Sequence, residues 1–476
     1  MMADTTGLPV AVIGAGFSGT MVALQVLAAS NRRPVLLCER AENFGRGLAY
    51  ATDNPAHVLN VRAANMSAFP DRPDHFEAWL ARTELNLAPA ETPGICRTAA
   101  GTFVARGLYG RYLAELLIDT VTGPDVPRLR LINDAVVDLE PTTEGFLLRT
   151  EGGLTRRVAG AVLAMGNLPS NGQFASRHRA SPWRPEGFDR LDPTRPVLIV
   201  GTGLTMVDAV AALRGRGFAG PVVAISRRGL LPSAHAPTRP WPVPTLAPTD
   251  LTSLSHLLGR IRAEIAAAQA ADADWRGVLD ALRPITDSAW KGLPAAERAR
   301  FLRHLRPYWD VHRHRMAPPV AEALAENIAR GSLAVRAGRI LSVVDEPAEA
   351  LVTWLPRRGT QPEAMRVQCI FDATGVGGVA GTHDPLLTRL LDRGLIQPGP
   401  FGLGLDTDAE FRVLGPQSQG TLWTIGPLLR GVLWECTAVP DIRTTATRLA
   451  ATVVKTLDSS DATSNEKAPR GGCGRG

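Results

Sequence analysis

The 476-residue chain is short of paired cysteine, of lysine and of long apolar runs, and each shortage removes a class of function. Its five cysteines, Cys38, Cys96, Cys369, Cys436 and Cys473, are scattered without a C-x-x-C pair. Neither a zinc ribbon nor a dithiol redox centre is therefore signalled, and no metal site is expected. No stretch approaches the roughly 18 consecutive apolar residues of a membrane-spanning helix. The first residues hold no basic region followed by an apolar stretch and a cleavage site, so the expectation is a cytoplasmic protein without membrane contact. Lysine stands only at 291, 455 and 467, and the formal charge of +6 is carried by arginines spread along the chain. They form no stripe and accompany no nucleic-acid motif, so nucleic acid is not expected as a partner. With 45% apolar and 21% charged residues the composition is that of a globular protein, long enough for two or three domains.

What the chain does have is a glycine fingerprint, twice. The first is Val10-Ala11-Val12-Ile13-Gly14-Ala15-Gly16-Phe17-Ser18-Gly19, and the second is Val197-Leu198-Ile199-Val200-Gly201-Thr202-Gly203-Leu204-Thr205-Met206. Each follows an apolar strand-like run and opens a helix-like run, the context in which G-x-G-x-x-G reads as a dinucleotide turn. Gly14 permits the tight turn, Gly16 lets the backbone approach a pyrophosphate, and Gly19 permits close helix–strand packing. The amides of Phe17 and Ser18 at the helix start face the phosphates. An acidic residue is expected about 20 residues onward, at the end of the second strand, and Glu39 stands there to accept from an adenosine ribose. The second unit departs from the first. Met206 takes the third glycine position, and Ser226-Arg227-Arg228 replaces the acid. Guanidinium groups match phosphate oxygens, so these residues, with Gly201, Gly203, Leu204 and Thr205, favour NADPH over NADH.

Punctuation along the chain yields a fold class and a domain plan. The fold is expected to be α/β, with two Rossmann-like dinucleotide-binding domains built on parallel sheets, β-meander connections and a helical insertion. A first domain spans 8–180 and a second 190–335, the second carrying a helical insertion over 250–330. Residues 336–457 return to the first domain, and a polar, Gly-rich tail at 458–476 is expected to be disordered. Short strands are expected near 129–139, 145–150 and 155–165.

Several segments carry a resemblance. Glu39-Arg40 followed by Gly45-Arg46-Gly47 resembles the loop that holds the flavin side of the pyrophosphate in FAD proteins of the glutathione-reductase and flavin-monooxygenase type, although Arg46 replaces a glycine. Ala164-Met165-Gly166 and Ala373-Thr374-Gly375 resemble the two A-T-G segments that connect the domains of that superfamily. Gly426 and the helix after Pro440 resemble its C-terminal flavin segment, and Val136 is a further candidate contact of the FAD. More closely, Gly45-Arg46-Gly47-Leu48-Ala49-Tyr50, Leu59-Asn60-Val61, Asn65-Met66-Ser67-Ala68-Phe69-Pro70 and the stretch Trp309 to Pro318 resemble a bacterial FAD/NAD(P)-binding family related to N-hydroxylating monooxygenases. That resemblance implies FAD and NADPH as cofactors. It also implies a single-component enzyme in which reduced flavin captures molecular oxygen as a C4a-hydroperoxide and transfers it to the nitrogen of an amine or amino acid.

The resemblance does not supply an acid or base. Asn60, Asn65 and Ser67 lie in the loop after the cofactor glycines and are candidates to hydrogen-bond the flavin ring or its adduct, or else simply to brace that loop. The segment His312–Arg315 reads as a solvated or interdomain basic stretch, not a metal site, because histidines two apart do not share a helical face. Two other readings stay open: an NADPH-dependent flavoprotein reductase that does not oxygenate, and a nucleotide-binding accessory protein without turnover.

Overall fold

In the computed structural model, residues 7–85, 94–123, 128–170, 172, 174–189 and 191–467 are described. Two parallel sheets dominate them. The first has the strand order Leu422–Thr424, Gly160–Leu163, Val10–Ile13, Val35–Glu39 and Leu129–Asn133. The second runs Arg179–Ala180, Cys369–Asp372, Val197–Val200, Val222–Ser226 and Leu333–Asp345 in parallel, then adds Ala350–Pro356 and Glu363–Val367 antiparallel. Val10–Ile13 and Val197–Val200 are buried at every position, as strands covered by helices on both faces must be. In each sheet the chain moves outward on one side of the fingerprint strand and later returns on its other side. Each fingerprint therefore lies at a topological switch point, where α/β sheets open a crevice. A three-stranded antiparallel meander, Val136–Thr142, Gly145–Thr150 and Thr155–Val158, stands beside the first sheet.

Strand pairing moves the expected boundaries. The strands at 333–372 pair in the second sheet, so the chain returns to the first domain after Asp372 and not at 336. Arg179–Ala180, assigned to the first domain, also pairs in the second sheet. Residues 129–139 are two strands in two sheets, parted at 134–135, and 155–165 likewise splits between meander and parallel sheet. The helical insertion is narrower than 250–330. The helix Pro318–Ala329, within that span, packs Val320, Ala321 and Leu324 into the second domain's core. That helix covers the crossover between two parallel strands, which such a connection requires.

The C-terminal helix extends from Val439 to Lys467, so 458–467 is helical where a disordered tail was expected. Helix elongation adds one hydrogen bond per residue once the nucleus exists, and the next breaker in the sequence is Pro469. Tertiary contacts hold the helix in place. Leu449, Val453 and Leu457 share one core with Met21, Val22 and Val26 of the Phe17–Ala29 helix, and buried Arg33 pairs with Asp458 at 2.6 Å. Residues 468–476 lie outside the described residues. No helix among the described residues is long and apolar enough to cross a membrane.

Polar contacts close the seam between the domains. Arg106, at the start of the Arg106–Thr122 helix, pairs with Asp208 of the Leu204–Gly215 helix at 2.9 Å, both nearly buried. His57 accepts from the Thr52 hydroxyl at 2.8 Å and donates from Nε2 to the Asp208 carbonyl at 3.2 Å. His235 donates from Nε2 to the Asn60 carbonyl at 3.0 Å, with its ring against Phe103. Burial pushes the His235 imidazole down to about 4, and the Asn60 carbonyl offsets only part of that. Burial also lowers His57 and His314.

Each of these histidines stays neutral in the folded chain at pH values where the unfolded chain binds a proton. Stability present above pH 6.5 is therefore lost as the pH falls, and for His235 the loss levels off below about 4. Thermal unfolding between pH 7.5 and 4 should show a falling Tm. His235→Gln, which keeps an amide donor for Asn60, should remove up to about 3 kcal/mol of that dependence. An unchanged slope would mean that His235 takes up its proton equally well in both states.

Candidate dinucleotide crevices and the junction between them

The first fingerprint is built from main-chain contacts that tolerate no side chain. Gly14 has a φ of +100°, and a Cβ on it would stand 2.4 Å from the Ala164 carbonyl oxygen. A Cβ on Gly19 would stand 1.8 Å from the Gly14 carbonyl oxygen, so the absence of a side chain there lets helix and strand meet. The second unit repeats the first device, with Gly201 at φ +116° against the Ala373 carbonyl oxygen at 2.2 Å. It omits the second device: Met206 is fully buried in the core of that domain.

Gly16 and Gly203 cap their helices without a side-chain bond, leaving the first amides of each helix without intrahelical partners. Gly203 faces open space. Gly16 faces the next loop, where a Cβ on Gly47 would come within 2.8 Å of the Gly16 Cα. Gly45 donates to the Ala15 carbonyl at 2.8 Å, so the Gly45–Gly47 loop is fastened to the fingerprint itself. Glu39 accepts from the Ala15 amide at 2.8 Å and from the Ala41 amide at 3.2 Å, which places its carboxylate at the mouth of the same turn. Gly426 comes from the far end of the chain, where a Cβ would meet the Ser18 hydroxyl at 2.8 Å.

The two crevices meet. Gly166 and Gly377 line one small cavity of about 40 Å³ together with Pro427, Arg306 and Arg430. The Gly377 amide donates to the Leu168 carbonyl at 3.0 Å. Asp372 accepts from Thr374 and from Arg179 at 2.5 Å, and the Thr374 hydroxyl lies 3.2 Å from that of Ser170. The strand ends after Ala164 and Ala373 are thus tied side by side. Gly166 and Gly375 both adopt positive φ and both face open space.

Not every residue read from the sequence joins a crevice. Ser67 is fully buried, and its hydroxyl donates to the carbonyls of Arg72 and Phe69, so it braces its loop and is not available for chemistry. Asn60 is half-buried and offers its carbonyl to His235, while Asn65 is exposed in the turn Ala63–Asn65. Arg40 reaches away from the turn to Asp384 at 3.0 Å, which also caps the Pro385–Asp392 helix. Phe17 turns its ring into the core beside Tyr109, leaving only its amide for a ligand. Val136 is half-buried and packs in the apolar cluster between the first sheet and the meander.

In the second unit, Ser226 shares its hydroxyl with Thr202 at 2.8 Å and accepts from the Gly229 amide, so it holds the turn. Arg228 leans on the Tyr308 ring and reaches the His304 carbonyl at 3.4 Å. Arg227 is exposed, and no hydrogen bond or ion pair is found for it among the described residues. Of the three residues expected at the phosphate, it alone is uncommitted.

Sequence reasoning missed a buried polar group where the helical insertion docks on residues 430–441. Arg313 pairs with Glu435 at 3.3 Å, both buried, and Arg283 pairs with Asp441. Burial raises the Glu435 carboxyl, but Arg313, His314 and Arg283 together bring it below its ordinary value. Arg315, also buried, pairs with Asp280. Within His312–Arg315, Arg313 is thus buried against residues 430–441 and Arg315 is buried within the insertion, while His312 is exposed. Nearby, the Tyr109 hydroxyl is buried with no partner among the described residues, beside Tyr50 and Phe17. The only sequence signal for these residues was the arginine-rich segment itself, because their partners lie far along the chain.

Comparison with known proteins agrees with this geometry. Residues 11–168 match the family model described as FAD-NAD(P)-binding. No curated protein matches the chain. Among solved structures, ornithine N-hydroxylase from Kutzneria sp. 744 is 14% identical with a TM-score of 0.62, covering 95% of this chain and 99% of its own. L-lysine 6-monooxygenase from Pseudomonas syringae is 17% identical with a TM-score of 0.63, covering 94% and 99%. Thioredoxin reductase from Lactococcus lactis is more distant, at 11% identity and a TM-score of 0.51, covering 95% and 100%. The family match thus covers the first fingerprint and its surroundings, and the chain as a whole shares the fold of the ornithine and lysine hydroxylases.

Proposed function

We propose that the protein is a FAD-dependent, NADPH-consuming monooxygenase that hydroxylates the nitrogen of an amine or amino acid. The overall reaction is RNH2 + O2 + NADPH + H+ → RNHOH + H2O + NADP+. The observation that carries this reading is the meeting of two unequal dinucleotide crevices at Gly166 and Gly377, with no thiol pair between them among the described residues. Disulfide reduction on the same fold needs adjacent cysteines. Here Cys38, Cys369 and Cys436 are buried apart, and burial pushes each thiol up to about 12. The shared fold with the ornithine and lysine hydroxylases supports nitrogen as the acceptor of oxygen.

The chain's own groups suit the two cofactors. At the first crevice the Phe17 and Ser18 amides would meet the FAD pyrophosphate, Glu39 would accept from the ribose, and Gly47 and Gly426 bring two further segments against the fingerprint at Gly16 and Ser18. Bound there, FAD supplies the electron transfer from NADPH to oxygen. At the second crevice the helix start at Leu204 and Thr205 would meet the NADPH pyrophosphate, and Arg227 the 2′-phosphate. The insertion, fastened by Arg313–Glu435 and Arg283–Asp441, would exclude water from the junction. Asn60 and Asn65 stay as candidates for polar contacts near the reacting groups, and a soluble, cytoplasmic setting fits the reading.

Three measurements test it. The purified holoenzyme, given NADPH, oxygen and primary amines, should form hydroxylamine in proportion to NADPH consumed. Stoichiometric hydrogen peroxide without hydroxylamine would favour a reductase that does not oxygenate. Arg227→Ala should raise the KM for NADPH by about tenfold or more while leaving that for NADH nearly unchanged; equal effects on both would remove the 2′-phosphate assignment. Gly47→Ala forces a methyl group onto the Gly16 main chain, so its flavin content after purification should fall steeply with circular dichroism retained. Full flavin occupancy in that variant would show that the loop does not border FAD.

A further inference from the structure

The helical insertion borders a half-open cavity of about 390 Å³, within the size range of small-molecule sites and far above ordinary packing gaps. One wall is the Leu254–Ala270 helix, whose apolar stripe Leu254, Leu257, Leu258, Ile261 and Ile265 faces the space. Four of those five side chains remain only half-buried, so the stripe has not found a full packing partner within the chain. The opposite wall holds Trp275, Trp290, Trp309 and Trp434.

Few polar groups face inward. Thr286 spends its hydroxyl on the Leu282 carbonyl, and His312 uses Nδ1 on the Tyr308 carbonyl. A free basic amino acid would bring a carboxylate and an ammonium group into this space. Arg262 is the one charged side chain on its lining, and ionic groups taken from water without partners are costly.

Trp434 ties the cavity to the junction of the crevices. It lines the cavity and lies 4.9 Å from Trp290, and the guanidinium groups of Arg306 and Arg430 lie 6.0 Å from its ring. Those two arginines line the small cavity beside Gly166 and Gly377. One molecule spanning Trp434 would lay its apolar body among the tryptophans and leucines and bring its amine to the junction, where two guanidinium groups disfavour the ammonium form and favour the neutral, nucleophilic amine.

We infer that this cavity binds the alkyl tail of the substrate, so that the amine hydroxylated is a lipophilic primary amine and not free ornithine or lysine. The inference rests on the monooxygenase reading, yet it can be tested apart from it. Butyl-, hexyl-, octyl- and decylamine, with ornithine and lysine, are titrated into the oxidised holoenzyme by calorimetry and separately assayed for hydroxylamine with NADPH. Affinity should rise about fourfold per methylene until the cavity is filled, with both amino acids weaker than decylamine. A flat series, or tighter binding of ornithine or lysine, overturns the inference and leaves N-hydroxylation standing if hydroxylamine forms. Rising affinity without hydroxylamine supports the tail site and overturns the monooxygenase reading instead. Ile261→Trp, which fills the space, and Leu258→Asp, which charges its wall, both lie on the half-exposed stripe and should flatten the series. The same steep series in both variants would mean adsorption elsewhere and would overturn the assignment.

Discussion

Each crevice depends on main chain pressed against main chain where a single methyl group would prevent the contact. Gly14 lies on the Ala164 carbonyl and Gly201 on that of Ala373, and each alanine directly follows the strand from which the chain leaves its sheet. The same contact therefore shapes the phosphate turn and aims the connecting segment toward the other domain. That is why Gly166 and Gly377 come to line a common space although more than 200 residues of sequence separate them. Positive φ at Gly14 and Gly201 adds a second reason for glycine, since other residues would be strained in that conformation.

The two units differ where their tasks would differ. Gly19 brings the first helix onto its strand, and the same helix is covered by the C-terminal helix, with Gly426 set over Ser18. A ligand there is enclosed by three separated parts of the chain, as suits a resident group. In the second unit Met206 fills the core, Gly203 faces open space and Arg227 stands exposed. That site is the more open of the two, as suits a cofactor that binds and leaves.

The insertion packs several helices around an apolar interior. It is anchored by charge and lined by apolar surface: the buried Arg313–Glu435 pair and the half-buried Arg283–Asp441 pair dock it on residues 430–441, while its interior is tryptophan, leucine and isoleucine. Buried ion pairs add modest net stability, but removing one partner strands a charge in a dry setting. The docking geometry is therefore narrowly specified even though the helix that carries Arg313, Arg306–Arg313, is short.

The sequence by itself determined the α/β class, both fingerprints and Glu39, because these depend on local periodicity and on residues within one strand–turn–helix unit. Met206 and Arg227 were legible for the same reason. Tertiary structure alone decided that the strands at 333–372 belong to the second sheet, since pairing partners leave no local trace in apolar alternation. It also decided that Ser67 and Ser226 brace turns and that Arg40 turns to Asp384, because a side chain's partner can come from anywhere in the chain. The cavity behind Trp434 is of that kind too. Its stripe is visible along one helix, but whether such a stripe meets a packed core or an empty space depends on how distant helices close around it.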